Sequence, residues 1–218
     1  MQSQVLVPMI QNKQRLTSFL LVSSYIAGLV GFLFVPGFEK LTWFSLLLSF
    51  GLLVWNHEPK NTGFYLFLIL AWMVGFGIEV AGVATGKIFG VYAYGDIMGP
   101  KLYQVPLLIG INWVVVVYVG NELTARYLGQ SPLLLRSSVA ALVPTLLDVI
   151  IEPVAIQTGM WHWFGEVPPL QNYLAWYAVS WLLSLAYQRW VGTKVRNPAS
   201  PLLLILQVVF FLVLGLAK

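Results

Sequence analysis

Seven long apolar runs, separated only by short segments, constrain this chain more than any other feature. They are read as helices over Leu16–Val35, Leu41–Trp55, Phe64–Thr85, Val105–Tyr127, Leu133–Ala155, Asn172–Trp190 and Pro201–Ala217. A membrane-crossing helix needs about 20 mainly apolar residues. In lipid, only helices and closed barrels satisfy their own backbone hydrogen bonds. A barrel would show alternation over segments of about ten residues, and these runs are unbroken. The expected fold is all-α: a polytopic membrane bundle of about seven transmembrane helices forming one integral membrane domain, residues 1–218. Residues 16–35 are too long for a signal-peptide core and no A-x-A site follows, so they are read as the first span. Hydrophobic residues make up 59% of the chain and charged residues 9%, against about 25% charged in soluble domains. A soluble enzyme, a disordered chain and a nucleic-acid binder are excluded.

The basic residues set the expected orientation. Lys13, Arg15, Lys60, Arg126, Arg136, Arg189, Lys194 and Arg196 fall on the side of the N-terminal tail, whereas Lys40, Lys87, Lys101 and Lys218 fall on the other. Eight against four places the N-terminus in the cytoplasm and the C-terminus outside, in a multi-pass protein of the cell (inner) membrane. The chain has no Cys, which removes disulfides, thiolate metal sites and cysteine nucleophiles. Its two His, His57 and His162, are too few for the His-rich iron sites of membrane desaturases. The seventh helix has no Lys, so a rhodopsin-type Schiff base is also excluded.

Three acids stand out within the spans: Glu79, Asp148 and Glu152. Each costs at least about 2.5–3.5 kcal/mol at a helix centre, so each needs a reason to be there. Asp148 and Glu152 are i and i+4, on one helix face. Two carboxylates that close do not both ionise readily, and the one that keeps its proton can act as a general acid. The other reading is interhelical hydrogen bonding by neutral acids. Pro144 and Pro153 bracket Asp148 and free the carbonyls of Ala140 and Val149, either to hold water or simply to kink the helix.

Glu79-x5-Thr85-Gly86 recurs as Glu152-x5-Thr158-Gly159, 73 residues later. Each copy ends a helix and opens an aromatic loop. This pattern predicts parallel internal repeats, helices 3–4 and 5–6, with a site at their interface. Under that alignment Glu79 matches Glu152, while Asp148 matches Gly75. The loops carry Tyr92, Tyr94, Tyr103, Trp161 and Trp163, as an interfacial aromatic belt would. They could equally form a cup of ring faces over the acids, which would steady a positive charge. His162 sits between two Trp, facing water or solvent. His57 and Glu58 read as loop residues on the opposite side. Asn112 and Gln157 are candidates for orienting water.

These residues also carry a resemblance. The segment from Glu79 to Tyr94, Gly99-Pro100-Lys-Leu-Tyr-Gln-Val-Pro106, Asp148-x3-Glu152-Pro153 and Gly159-Met-Trp-His-Trp163 resemble the carotenoid-biosynthesis integral membrane family. Its best-known members are carotenoid 1,2-hydratases of the bisanhydrobacterioruberin hydratase and γ-carotene hydratase type. The resemblance covers residues 64–190. Gly165-Glu-Val-Pro-Pro169 departs from it, since a Tyr-containing turn is expected there.

The resemblance implies addition of water across the terminal C-1,2 double bond of an acyclic carotenoid end group. A proton on C-2 leaves a tertiary cation at C-1, which water quenches. This reaction calls for no cofactor and no metal. The implied partners are a carotenoid of the lycopene, γ-carotene or bacterioruberin-precursor type, water, the lipid bilayer and other carotenoid-pathway enzymes. The expected catalytic residues are Asp148 as proton donor, Glu152 as its charged neighbour and Glu79 as the holder of the water. Tyr92, Tyr94, Trp161, Trp163 and Asn112 would bind substrate. Two other readings stay open. A carotenoid end-group cyclase shares the first protonation, and a proton-coupled carrier also uses intramembrane acids and parallel repeats.

Overall fold

The computed structural model describes residues 2–165 and 167–217, with side chains from residue 11 onward. Among these residues the apolar runs form seven α-helices: α1 (Gln2–Phe34), α2 (Thr42–Asn56), α3 (Thr62–Thr85), α4 (Leu108–Leu128), α5 (Leu133–Thr158), α6 (Leu170–Trp190) and α7 (Ala199–Ala217). A 3-10 turn, Phe38–Leu41, leads into α2. Six of these helices, with that turn counted into the second, are long and apolar enough to cross a membrane. The exception, α6, is as long as α4 but has Asn172, Ser180, Ser184 and Gln188 buried along one face. The fold is an all-α polytopic membrane bundle. Large apolar side chains such as Phe19, Ile26, Leu146, Leu182 and Ile205 lie on its outside, where acyl chains replace water as the solvent.

Helix α4 forms the centre and packs against α2, α3, α5, α6 and α7. Its run Val114–Val119 is buried on every side, which explains the lack of an amphipathic stripe. Close approach depends on small residues. A Cβ on Gly120 would sit 2.5 Å from the Ala140 carbonyl oxygen. Pro144, inside α5, frees that carbonyl, and it faces the backbone of α4.

Several boundaries differ from the sequence reading. α1 begins 14 residues before Leu16. α4 begins at Leu108 instead of Val105, because β3 (Val105–Pro106) pairs with β2 (Lys101–Leu102). The turn between them holds Tyr103 and Gln104 at φ 51° and 65°. α5 continues through Pro153 to Thr158.

A buried polar cluster ties the basic end of the bundle together. Asn197 donates to the Leu53 carbonyl at 2.8 Å and to the Tyr118 hydroxyl at 2.9 Å. The Tyr118 hydroxyl lies 2.7 Å from His57 Nδ1. Glu122 accepts from the Asn197 backbone N–H at 2.7 Å, with Arg126 at 3.7 Å. Glu122 is therefore a fourth intramembrane acid beside the three singled out above. His57 stands in the loop after α2, as read from the sequence, but is fully buried there and stacked on Phe64 at 3.6 Å. Burial, and then the charge of Lys60, hold its pKa down at about 4.

Candidate active site

The end of the bundle opposite that cluster is built twice over. α3 and α5 each stop at a glycine in the left-handed region, Gly86 (φ 63°) and Gly159 (φ 73°). That conformation costs glycine little and other residues more. The chain then turns back into β1 (Tyr92–Tyr94) and β4 (Trp161–Trp163), which pair antiparallel with Tyr92 opposite Trp163 and Tyr94 opposite Trp161. Alternate residues of a strand share a face, so the four rings lie together and Ala93 and His162 point away. The pairing requires Gly95, where a Cβ would sit 1.9 Å from the Gly159 carbonyl oxygen.

Each strand supplies donors to the acid of its own repeat. Tyr92 and Tyr94 donate to Glu79 Oε2 at 2.5 and 2.8 Å. Trp161 and Trp163 both donate to Glu152 Oε2 at 3.0 Å. Burial, and then the nearby Glu79 charge, push both phenols above their ordinary range, so they remain protonated donors. Trp113 gives Glu79 a third donor, to Oε1 at 3.0 Å. Asp148 accepts from Asn172 at 2.7 Å through Oδ2. Its second oxygen, like Oε1 of Glu152, meets no donor among the described residues.

All three acids are buried, yet all three line one cavity of about 410 Å³. Tyr92, Tyr94, Trp161, Trp163 and Asn112 line it too. The structure thus brings together all eight residues singled out as the site. Among the described residues no Lys, Arg or His lines it. The carboxyls face a cavity that is apolar and aromatic apart from a few neutral polar groups, with no cation to pair them. Leu41, Trp43 and Phe44, apolar side chains around the start of α2, line the cavity and are also exposed. Among the described residues no His, Asp or Glu cluster is arranged to hold a metal ion.

A family model described as carotenoid biosynthesis protein matches residues 39–218. The chain belongs to that family. A bisanhydrobacterioruberin hydratase from Haloarcula japonica is 28% identical to it over 124 residues, 50% of this chain and 39% of the relative. The chain therefore matches less than half the length of that relative. No solved structure matches it.

In this carotenoid biosynthesis protein some site residues escaped the sequence reading. Trp176 lines the cavity and stacks on the fully buried Trp113 at 3.8 Å and 7°. Trp favours the membrane interfaces, so each of these within a span was the available signal. Asn172 was taken only as the first residue of a helix. Gln157 and His162 are exposed and stand off the cavity. Tyr103 is 72% exposed at its hairpin tip. Of the Gly165–Pro169 turn, Glu166 lies outside the described residues.

Proposed function

We propose that the chain is a carotenoid 1,2-hydratase that protonates an acyclic end group at C-2 and captures the C-1 cation with water. The observation that carries this reading is the set of three carboxyls lining an apolar, aromatic cavity with no basic side chain in its wall. Such a wall favours positive charge in its ligand, through ring faces and carboxylates together. A hydrocarbon dissolved in the bilayer would enter sideways, past Leu41, Trp43 and Phe44. The similarity to a bisanhydrobacterioruberin hydratase supports the same reaction class.

Asp148 is the proton donor in this mechanism. Its free oxygen can carry the proton, while Asn172 holds the other. Glu79 and Glu152 act as carboxylates, held by five N–H and O–H donors. The hydrogen bonds shift one role relative to the sequence reading. Both oxygens of Glu79 are engaged, so Glu152, with Oε1 free, is the better acceptor for the proton that water sheds. The acids lie on the external half of the bilayer, with the N-terminus cytoplasmic. Labelling of Asp96→Cys by an impermeant reagent only from the cytoplasmic side would reverse that orientation.

Expression in a host that accumulates lycopene or γ-carotene tests the activity. The expected result is a more polar pigment, heavier by one water. A new pigment of unchanged mass would identify a cyclase, and no change with either substrate would favour a carrier.

A further inference from the structure

We propose that Gln207, with Tyr25 and Ser49, forms the water subsite of this cavity, on the part of its wall supplied by α1 and α7. The inference rests on the hydratase reading and adds the location of the second substrate. Glu79, Asp148 and Glu152 come from α3 and α5. Tyr25, Ser49 and Gln207 come from α1, α2 and α7, which pack on one another. Tyr25 and Gln207 line the same cavity as the acids, and the Tyr25 hydroxyl lies beside both Ser49 and Gln207. Gln207 is 5% exposed and Ser49 1%. Gln207 Oε1 and Ser49 Oγ have no hydrogen-bond partner among the described residues.

Unpartnered polar atoms buried in an apolar membrane interior are costly. A buried water characteristically makes about three hydrogen bonds to such groups. Here the Gln207 carboxamide and Tyr25 stand at the wall of a cavity with ample volume for a water, with the Ser49 hydroxyl beside that of Tyr25. Hydration consumes one water per turnover, and nothing in a hydrocarbon substrate can retain it. The cluster supplies that retention and places the nucleophile across the alkene from the proton donor.

The step balances. The C-2–H bond forms with the proton of Asp148, and the π pair leaves C-1 as a tertiary cation. The oxygen of the held water forms the C-1–O bond. The proton it sheds passes through water in the cavity to the carboxylates opposite, which restores the acid. No oxidant or reductant takes part.

The test separates protonation from capture. Wild type, Gln207→Met and Ser49→Ala are purified with the carotenoid and incubated in heavy water. Both the hydrated product and deuterium in recovered substrate are measured. If Gln207 holds the water, Gln207→Met lowers hydration about tenfold or more, the effect of one lost hydrogen bond. It still exchanges deuterium into the substrate, because the cation forms and returns its proton. Ser49→Ala shows the same split, less severely. Hydration at the wild-type rate in both variants overturns the subsite. Loss of hydration and deuterium exchange together overturns it too, since the residues would then serve the fold or the acids. A wild type that exchanges deuterium but forms no hydrated product marks failure of the hydratase reading itself.

Discussion

Asp148 has one amide donor where Glu79 has three donors and Glu152 two. A side chain that must release and regain a proton needs an oxygen free to carry it. Asp148→Asn keeps shape and polarity but cannot donate a proton to carbon. Its turnover is expected to fall by about 10²–10⁴, the usual worth of a general acid, with pigment binding retained. Wild-type turnover in this variant, alongside a dead Glu79→Gln, would move the acid role to Glu79. At the other end of the bundle, His57 is held neutral with a pKa of about 4, below the ordinary 6.5. The unfolded chain then binds a proton that the folded chain refuses between those values. Stability is present in full above pH 6.5 and is lost as pH falls towards 4, on the order of 3 kcal/mol at full effect. Thermal melts in detergent should show this slope in wild type and a flatter one in His57→Gln.

At the scale of elements, the repeat explains why one acid stands alone. Gly75 is the counterpart of Asp148 at the 73-residue offset. A Cβ there would sit 2.4 Å from the Trp113 side chain, and Trp113 is stacked on Trp176 and bonded to Glu79. The first repeat therefore needs glycine to admit its tryptophan, while the second places a carboxyl at the same station. Gly75→Ala should displace Trp113, costing about 1–3 kcal/mol from overpacking and reducing activity through loss of the third Glu79 donor. A Gly75→Ala variant that melts and turns over like wild type would show that Trp113 is free to move. The repeat was legible because acid, threonine and glycine recur together. The pairing of β1 with β4 was not, since it joins residues about 70 apart and each strand has only three residues. The rings could be named from sequence, but which acid each would serve depended on that pairing.

For the whole molecule, apolar runs were enough to reveal the bundle, because lipid leaves the backbone few alternatives. They could not reveal which helix is central. The α4 run Val114–Val119 is apolar on every side, as a lipid-facing stretch can also be, and only packing shows it buried. Nor could they reveal the polar cluster at the basic end, whose members His57, Tyr118-x3-Glu122 and Asn197 are far apart in the chain. The bundle sets two chemistries apart: a buried, hydrogen-bonded polar clasp at one end, and carboxyls facing an apolar cavity at the other. Of the two, the second opens onto a cavity of about 410 Å³, with room for a ligand. Its catalytic use is tested most directly with purified protein, lycopene or γ-carotene, and water labelled with heavy oxygen. A hydratase working through these acids yields a carotenoid heavier by one labelled water, with the label at C-1, and Asp148→Asn yields almost none. A product of unchanged mass, or label incorporation undiminished in Asp148→Asn, would contradict that chemistry.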